Sequence, residues 1–197
     1  MKTLILRLFS CCMFVVLAHI LPASAQQSIA PLPVQEQPLA PEKNPPGDIP
    51  DSQVFIVYHA PSGYSIKVPE GWARRDMAAG AVFSDKYNTI QLTHSQRRAP
   101  LDRQALSTTE IPSLKTSGKA VRISRIQTER LPAGNTEAVY FASNSDPNPI
   151  TNKAIRLENV RYYFWRQGKQ VTLTLSAPYG ADNADQWRLM ARSFRWQ

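Results

Sequence analysis

Two histidines, His59 and His94, are the side chains past the first 25 residues best suited to proton transfer or metal binding. They stand 35 positions apart, with no HxxE, HExxH or HxH arrangement around either, so the ligand set of a zinc site is absent. G-x-S-x-G, G-x-x-x-x-G-K-[ST] and G-x-G-x-x-G patterns are also missing, which removes the usual signs of a nucleophile elbow or a phosphate loop. A hydrolase would have to assemble its site from scattered carboxylates and His94, for example with Asp85, and no spacing favours that set. The expectation is therefore a chain without catalytic residues, cofactor or metal, its histidines structural or solvent-facing; the scattered-residue hydrolase is the competing reading. "DNAD" (Asp182 to Asp185) has part of a calcium loop's composition but lacks the spaced oxygens and the closing glutamate. It reads as a helix start, where carboxylates meet unpaired amides and the positive end of the helix dipole.

Basic and aromatic residues interleave three times, at "WARR" (Trp72 to Arg75), "RYYFWRQGK" (Arg161 to Lys169) and "RSFRW" (Arg192 to Trp196). Arginine beside an exposed ring can engage acidic sugars or peptides through cation–π and bidentate contacts. The plainer expectation is rings in the core and arginines at its rim. The candidate partner surface comprises Trp72, Arg74, Arg75, Arg161, Tyr163, Trp165 and Arg166. Charge points the same way: Val54 to Gln197 carries 20 Lys and Arg against 11 Asp and Glu, a net +9.

The compartment narrows the partner. Lys2 and Arg7, an apolar run from Leu8 to about Ile20, and Ala23-Ser24-Ala25 make residues 1–25 a secretory signal peptide, too short in its apolar run for a membrane-spanning helix. Cys11 and Cys12, the chain's two cysteines, leave with it, so no disulfide or thiolate chemistry is expected in the mature protein. An exported basic domain favours an envelope protein or an anionic glycan or lipid surface over nucleic acid. The expected location is periplasmic or secreted. A purely structural component of an envelope complex is a further alternative.

The elements that would position these residues follow a change of pattern near Val54. Residues 26–53 hold seven prolines and no aromatic residue, and read as a disordered, semi-extended leader, since proline removes amide donors and the segment buries too little to offset its ordering entropy. Short alternating runs then predict strands at 54–58, 64–68, 80–85 and 89–94. Hairpins are predicted across Pro132 to Asn135 and at Gln167-Gly168. Proline at 69 and glycine at 71 predict a type I turn over Val68–Gly71 that returns Trp72 toward the sheet end. Asp102 is a candidate N-cap for a helical stretch that Pro112 interrupts. Trp187, Met190, Ala191 and Phe194 form one stripe of a final helix capped by Asp182 or Asn183. In "YYFW", Tyr162 and Phe164 leave one face of a strand while Tyr163 and Trp165 leave the other, so both faces of the sheet require cover. The prediction is an α+β domain over 54–197, an antiparallel β-sheet flanked by helices as an α/β/α sandwich. The alternative puts both helices on one face and leaves a ligand groove on the other.

A strand closing in "VPEGW" (Val68 to Trp72), the late hairpin "RYYFWRQGKQVTLTLSAP" and a final helix reaching "SFRW" together resemble the PsbP-like family, which shares its sandwich fold with Mog-type and DcrB-like proteins. The resemblance spans about Val54 to Gln197. It implies the fold and an accessory or binding role without shared catalytic apparatus, and it carries over no functional residue.

Overall fold

A computed structural model of the chain describes residues 36–197; the predicted signal peptide and the first part of the predicted leader lie outside the described residues. Among the described residues no helix is long and apolar enough to cross a membrane. Ten strands and two helical runs build the expected α+β architecture, with the strands divided between two antiparallel sheets.

The small sheet is β1 (Phe55–Ala60), β2 (Tyr64–Pro69) and a two-residue β10 (Arg195–Trp196), in the order β1-β2-β10. The large sheet has the order β3-β4-β5-β9-β8-β7-β6, from β3 (Ala73–Met77), β4 (Gly80–Asp85), β5 (Asn88–Gln96), β6 (Lys119–Leu131), β7 (Gly134–Asn144), β8 (Arg156–Arg166) and β9 (Lys169–Pro178). The break between sheets falls at the Pro-Glu-Gly turn. Gly71 takes φ +83°, the left-handed value that suits the third position of a turn, so the corner sits one residue later than the expected type I turn. Trp72 is returned onto the core and is half-buried there. At the β8–β9 hairpin Gln167 and Gly168 both have positive φ (48° and 83°), as a two-residue hairpin turn requires to match strand twist.

The main core lies between the two sheets. Val171, Leu173 and Leu175 of β9 and Val160, Tyr162 and Phe164 of β8 meet Ile66 and Val68 of β2. Met190, Ala191 and Phe194 join them from the C-terminal helix (Ala184–Ser193) and its end. Phe164 stacks on Phe194 at 3.9 Å between centroids and 5° between planes.

A second core covers the opposite face. There Leu106 and Leu114 of the middle helical run, residues 103–117, pack on Val139, Phe141 and Tyr163. Tyr163 is 5% exposed, while Trp165 is half-buried with its indole N–H donating to the Arg97 carbonyl at 2.8 Å. Rings from one strand are thus sheltered on both sides, as the alternation in "YYFW" requires.

The middle run is one helix with a π segment (Leu106–Glu110) between two α segments. Asp102 caps it, accepting from the Ala105 amide at 2.7 Å. Pro112 has no N–H to donate one turn back, and the wider π turn just before it absorbs the mismatch.

Three further local features differ from expectation. Strand β3, "ARRDM", is an additional strand: its side chains are mostly exposed, so it has no apolar alternation to read. Asn183 stands at the N-cap position but makes no side-chain cap bond. Its amide instead receives the Ile49 N–H at 2.7 Å and donates to the Gly47 carbonyl at 2.9 Å.

The third difference concerns the proline-rich segment, whose described part, 36–53, is laid along the domain as a strap. Asn144 receives the Leu39 N–H at 3.0 Å and donates to the Gln37 carbonyl, Asn88 donates to Gly47, and Ile49 enters the main core at 4% exposure. Asparagine side chains supply the partners that the strap's own backbone cannot supply in an extended conformation.

Candidate functional site

The middle helix covers one half of its sheet face and leaves the other open. Register shows what lies there. One cross-strand row runs Arg75, Val82, Gln91, Thr174, Arg161 and Val139, from the β3 edge to the helix-covered half. The next row runs Ala73, Ser84, Thr89, Ser176, Asn159 and Phe141. The same strands that give Val171, Leu173 and Leu175 to the core thus give hydroxyls and amides to this face. The helix end and the β4–β5 turn wall it into a groove of about 480 Å³, with Lys86 and Lys119 among its lining residues.

Arg161 is the charged group on the groove floor. Its Nε–H donates to Thr174 Oγ1 at 2.9 Å, and its guanidinium stands 5.8 Å from the Phe141 ring. Among the described residues it has no ion pair, whereas Lys119 is held by Asp146 at 2.9 Å and Arg97 by Glu110 at 3.4 Å. Asn159 is tied down, donating to Ser143 Oγ at 3.1 Å. Burial pushes the Tyr163 phenol above its ordinary pKa, with the neighbouring Arg161 charge pulling partly the other way. The floor is therefore prearranged and presents unspent N–H groups of Arg161, the chemistry that receives carboxylate or phosphate oxygens.

The seven residues singled out by sequence divide between faces. Arg75, Arg161, Tyr163 and Trp165 share the helix face, but Arg75 and Arg161 are four strand spacings apart, about 19 Å. Tyr163 is floor packing under the helix, and Trp165 spends its N–H on Arg97. Arg74 points to the opposite face, over the Tyr58 ring at 4.8 Å and bonded to Asp76 at 2.8 Å. Arg166 is exposed at the hairpin end of β8, and Trp72 belongs to the main core's edge. The structure thus keeps Arg161 as a groove residue and separates it from Arg74, Arg166 and Trp72. Thr89, Gln91, Asn159, Thr174 and Ser176 were not foreseen; their signal is the polar half of each strand's alternation, which becomes a surface only through register.

His94 and Asp85 stand at opposite ends of the β4–β5 hairpin, about 20 Å apart along the strands, so that particular pair is not assembled. No group of three or more His, Cys, Asp or Glu side chains among the described residues is placed to hold a metal ion.

These layers define an α+β sandwich of the PsbP and Mog type. No family model matches the chain, and no curated protein matches it. Among solved structures it is similar to the PsbP protein of the cyanobacterium Synechocystis (CyanoP), at 13% identity and a TM-score of 0.52 over 77% of this chain and 98% of that one. It is also similar to the Ran-binding protein Mog1p of Saccharomyces cerevisiae, at 10% identity and a TM-score of 0.50 over 74% of this chain and 96% of that one. At such identities the likeness establishes the fold alone.

Proposed function

We propose that this chain is a non-catalytic accessory or binding protein of the cell envelope, docking an anionic partner on the polar half of its helix-side sheet face. The observation that carries the reading is Arg161, seated on Thr174 in a groove of hydroxyls and amides and without an ion pair among the described residues, the lining carboxylate Asp146 being held by Lys119. The net +9 of residues 54–197 would draw an anionic surface toward the groove, and the first 25 residues support a periplasmic or secreted location. The sandwich is also the fold of Mog1p, itself a Ran-binding protein.

The test is capture of envelope extract by the processed protein at low and high salt, with Arg161→Gln and the rim variant Lys86→Gln compared at unchanged thermal melting. Losing a hydrogen bond to a charged group is worth about 1.5–3 kcal/mol, so Arg161→Gln is expected to weaken capture about tenfold or more. High salt is expected to weaken it as well. Capture indifferent to both salt and Arg161 would refute the reading. Acidic peptide and anionic vesicles, offered separately, identify the class of partner.

A further inference from the structure

A second cavity, of about 320 Å³, lies on the other side of the large sheet, at the open end of the core between the two sheets. Tyr58, Ser62 and Tyr64 of the β1–β2 hairpin line it on one side, with Arg74, Asp76 and His94 of β3 and β5 opposite. It shares no residue with the Arg161 groove.

Two buried polar atoms line this space and have no hydrogen-bond partner: the Tyr64 hydroxyl and His94 Nδ1. Tyr64 is 0% exposed. Its ring is core, stacked on Phe194 at 5.5 Å and edge-on to Tyr58 at 6.5 Å, with the Ser62 side chain beside its hydroxyl. An unpartnered buried hydroxyl is destabilising, and such a group in a native protein calls for an explanation, of which a ligand that completes it is one. A phenylalanine would fill the same ring position without that cost.

The surrounding groups are mostly donors. Burial pushes the Tyr64 phenol up to about 12, so it stays protonated and can donate at any physiological pH. Arg74 uses its Nε and one terminal nitrogen on a single Asp76 oxygen, which leaves guanidinium N–H groups unspent. Lys169 is anchored on the Ser62 carbonyl, bringing a second cation to the same hairpin turn. Asp76 is the one carboxylate among the lining residues. The histidine ring can offer either a donor or an acceptor by choice of tautomer. A volume of this size, at about 30 Å³ per water, holds an organic molecule of about ten heavy atoms.

We propose that this cavity is a binding site for a small organic carboxylate, whose oxygens accept from the Tyr64 hydroxyl and the remaining Arg74 N–H groups while its body lies against the Tyr58 ring and His94. The class of ligand follows from the balance of donors over acceptors and from the Tyr58, Tyr64 and His94 rings in the lining, which suit carbon better than a fully hydrated inorganic anion.

The full chain, labelled with ¹⁵N, is titrated at constant pH with acetate, succinate and benzoate, and with inorganic phosphate as the contrasting anion. The His94 ring signals are read against those of His59, which is exposed and bonded to Gln197. The expected result is a saturable shift at His94 and none at His59 with at least one carboxylate. Its midpoint is expected to rise at least fivefold in Tyr64→Phe and in Arg74→Gln, and to stay put in Arg161→Gln. Arg74 is exposed, so that variant keeps the test valid should Tyr64→Phe fold poorly. A linear response, the same midpoint in Arg74→Gln, or saturation by phosphate alone would overturn the proposal and leave the cavity to water.

Discussion

Replacing Asn183 with alanine removes its two side-chain bonds to the strap, at Gly47 and Ile49, and the structure allows the cost to be worked out. The Gly47 carbonyl would remain bonded, because Asn88 Nδ2 also donates to it at 2.8 Å. The Ile49 N–H would not: its bond to Asn183 Oδ1 is buried, and an orphaned buried amide costs about 1–3 kcal/mol. The shared bond to Gly47 adds about 0.5–1.5 kcal/mol.

A ceiling applies, because the strap can peel away and rehydrate instead. Peeling gives up the burial of Ile49, about 1.5–3 kcal/mol, together with exposed contacts such as Asp48 to the Asp182 amide. Asn183→Ala is thus expected to destabilise by about 2–3 kcal/mol. Asn88→Ala, which leaves Asn183 on Gly47, should cost about 1 kcal/mol. Urea denaturation measures both, and hydrogen exchange at the Ile49 amide reports the strap directly. Because Asn183 makes no side-chain cap bond, amides inside the C-terminal helix should keep their protection. An Asn183→Ala protein within 0.5 kcal/mol of wild type, or an Ile49 amide exchanging at its original rate, would refute the strap account.

Other consequences are as open to measurement. Phe164→Ala opens a void against Phe194 in the middle of the main core and should cost about 3–5 kcal/mol in the same denaturation assay; a loss under 1 kcal/mol would mean that the stack is not what fills the core. Glu158 of β8 has its carboxyl pKa raised by burial, with the Gly180 backbone N–H pulling partly back. A raised acid binds its proton more tightly in the folded state, so stability falls as pH climbs from the unfolded carboxylate range through the folded pKa. Glu158→Gln should lack that fall, and parallel pH–stability curves for the two proteins would contradict the assignment. Arg161→Gln should reduce salt-sensitive capture, and Tyr64→Phe should blunt the carboxylate response at His94.

Strands with apolar alternation could be read directly. "VTLTLS" announces one apolar face and "YYFW" two, the hairpin glycines punctuate them, and the stripe of the last helix fixes which side it buries. Strand β3 could not be read this way, because an edge strand held by backbone pairing and carrying Arg74, Arg75 and Asp76 outward has the composition of a loop. The strap escaped for a related reason: extended proline-rich backbone docks through amides and carbonyls, and its partners Asn144 and Asn183 stand more than 100 positions away. At the groove, sequence pointed to Arg161 by its aromatic neighbours. The polar floor beneath it needed the pairing of β5 with β9 and β9 with β8, a relation between distant segments.

The strap sets an order of events. Ile49 leaves the ribosome early, yet the asparagine that receives its amide is 134 residues behind it. Until that asparagine follows, the side chain available to this stretch is Asn88, 41 positions on, which holds Gly47 and leaves the Ile49 amide without its partner. The clasp closes once the last helix arrives, so resistance to cleavage near Gly47 serves as a clock for completed folding.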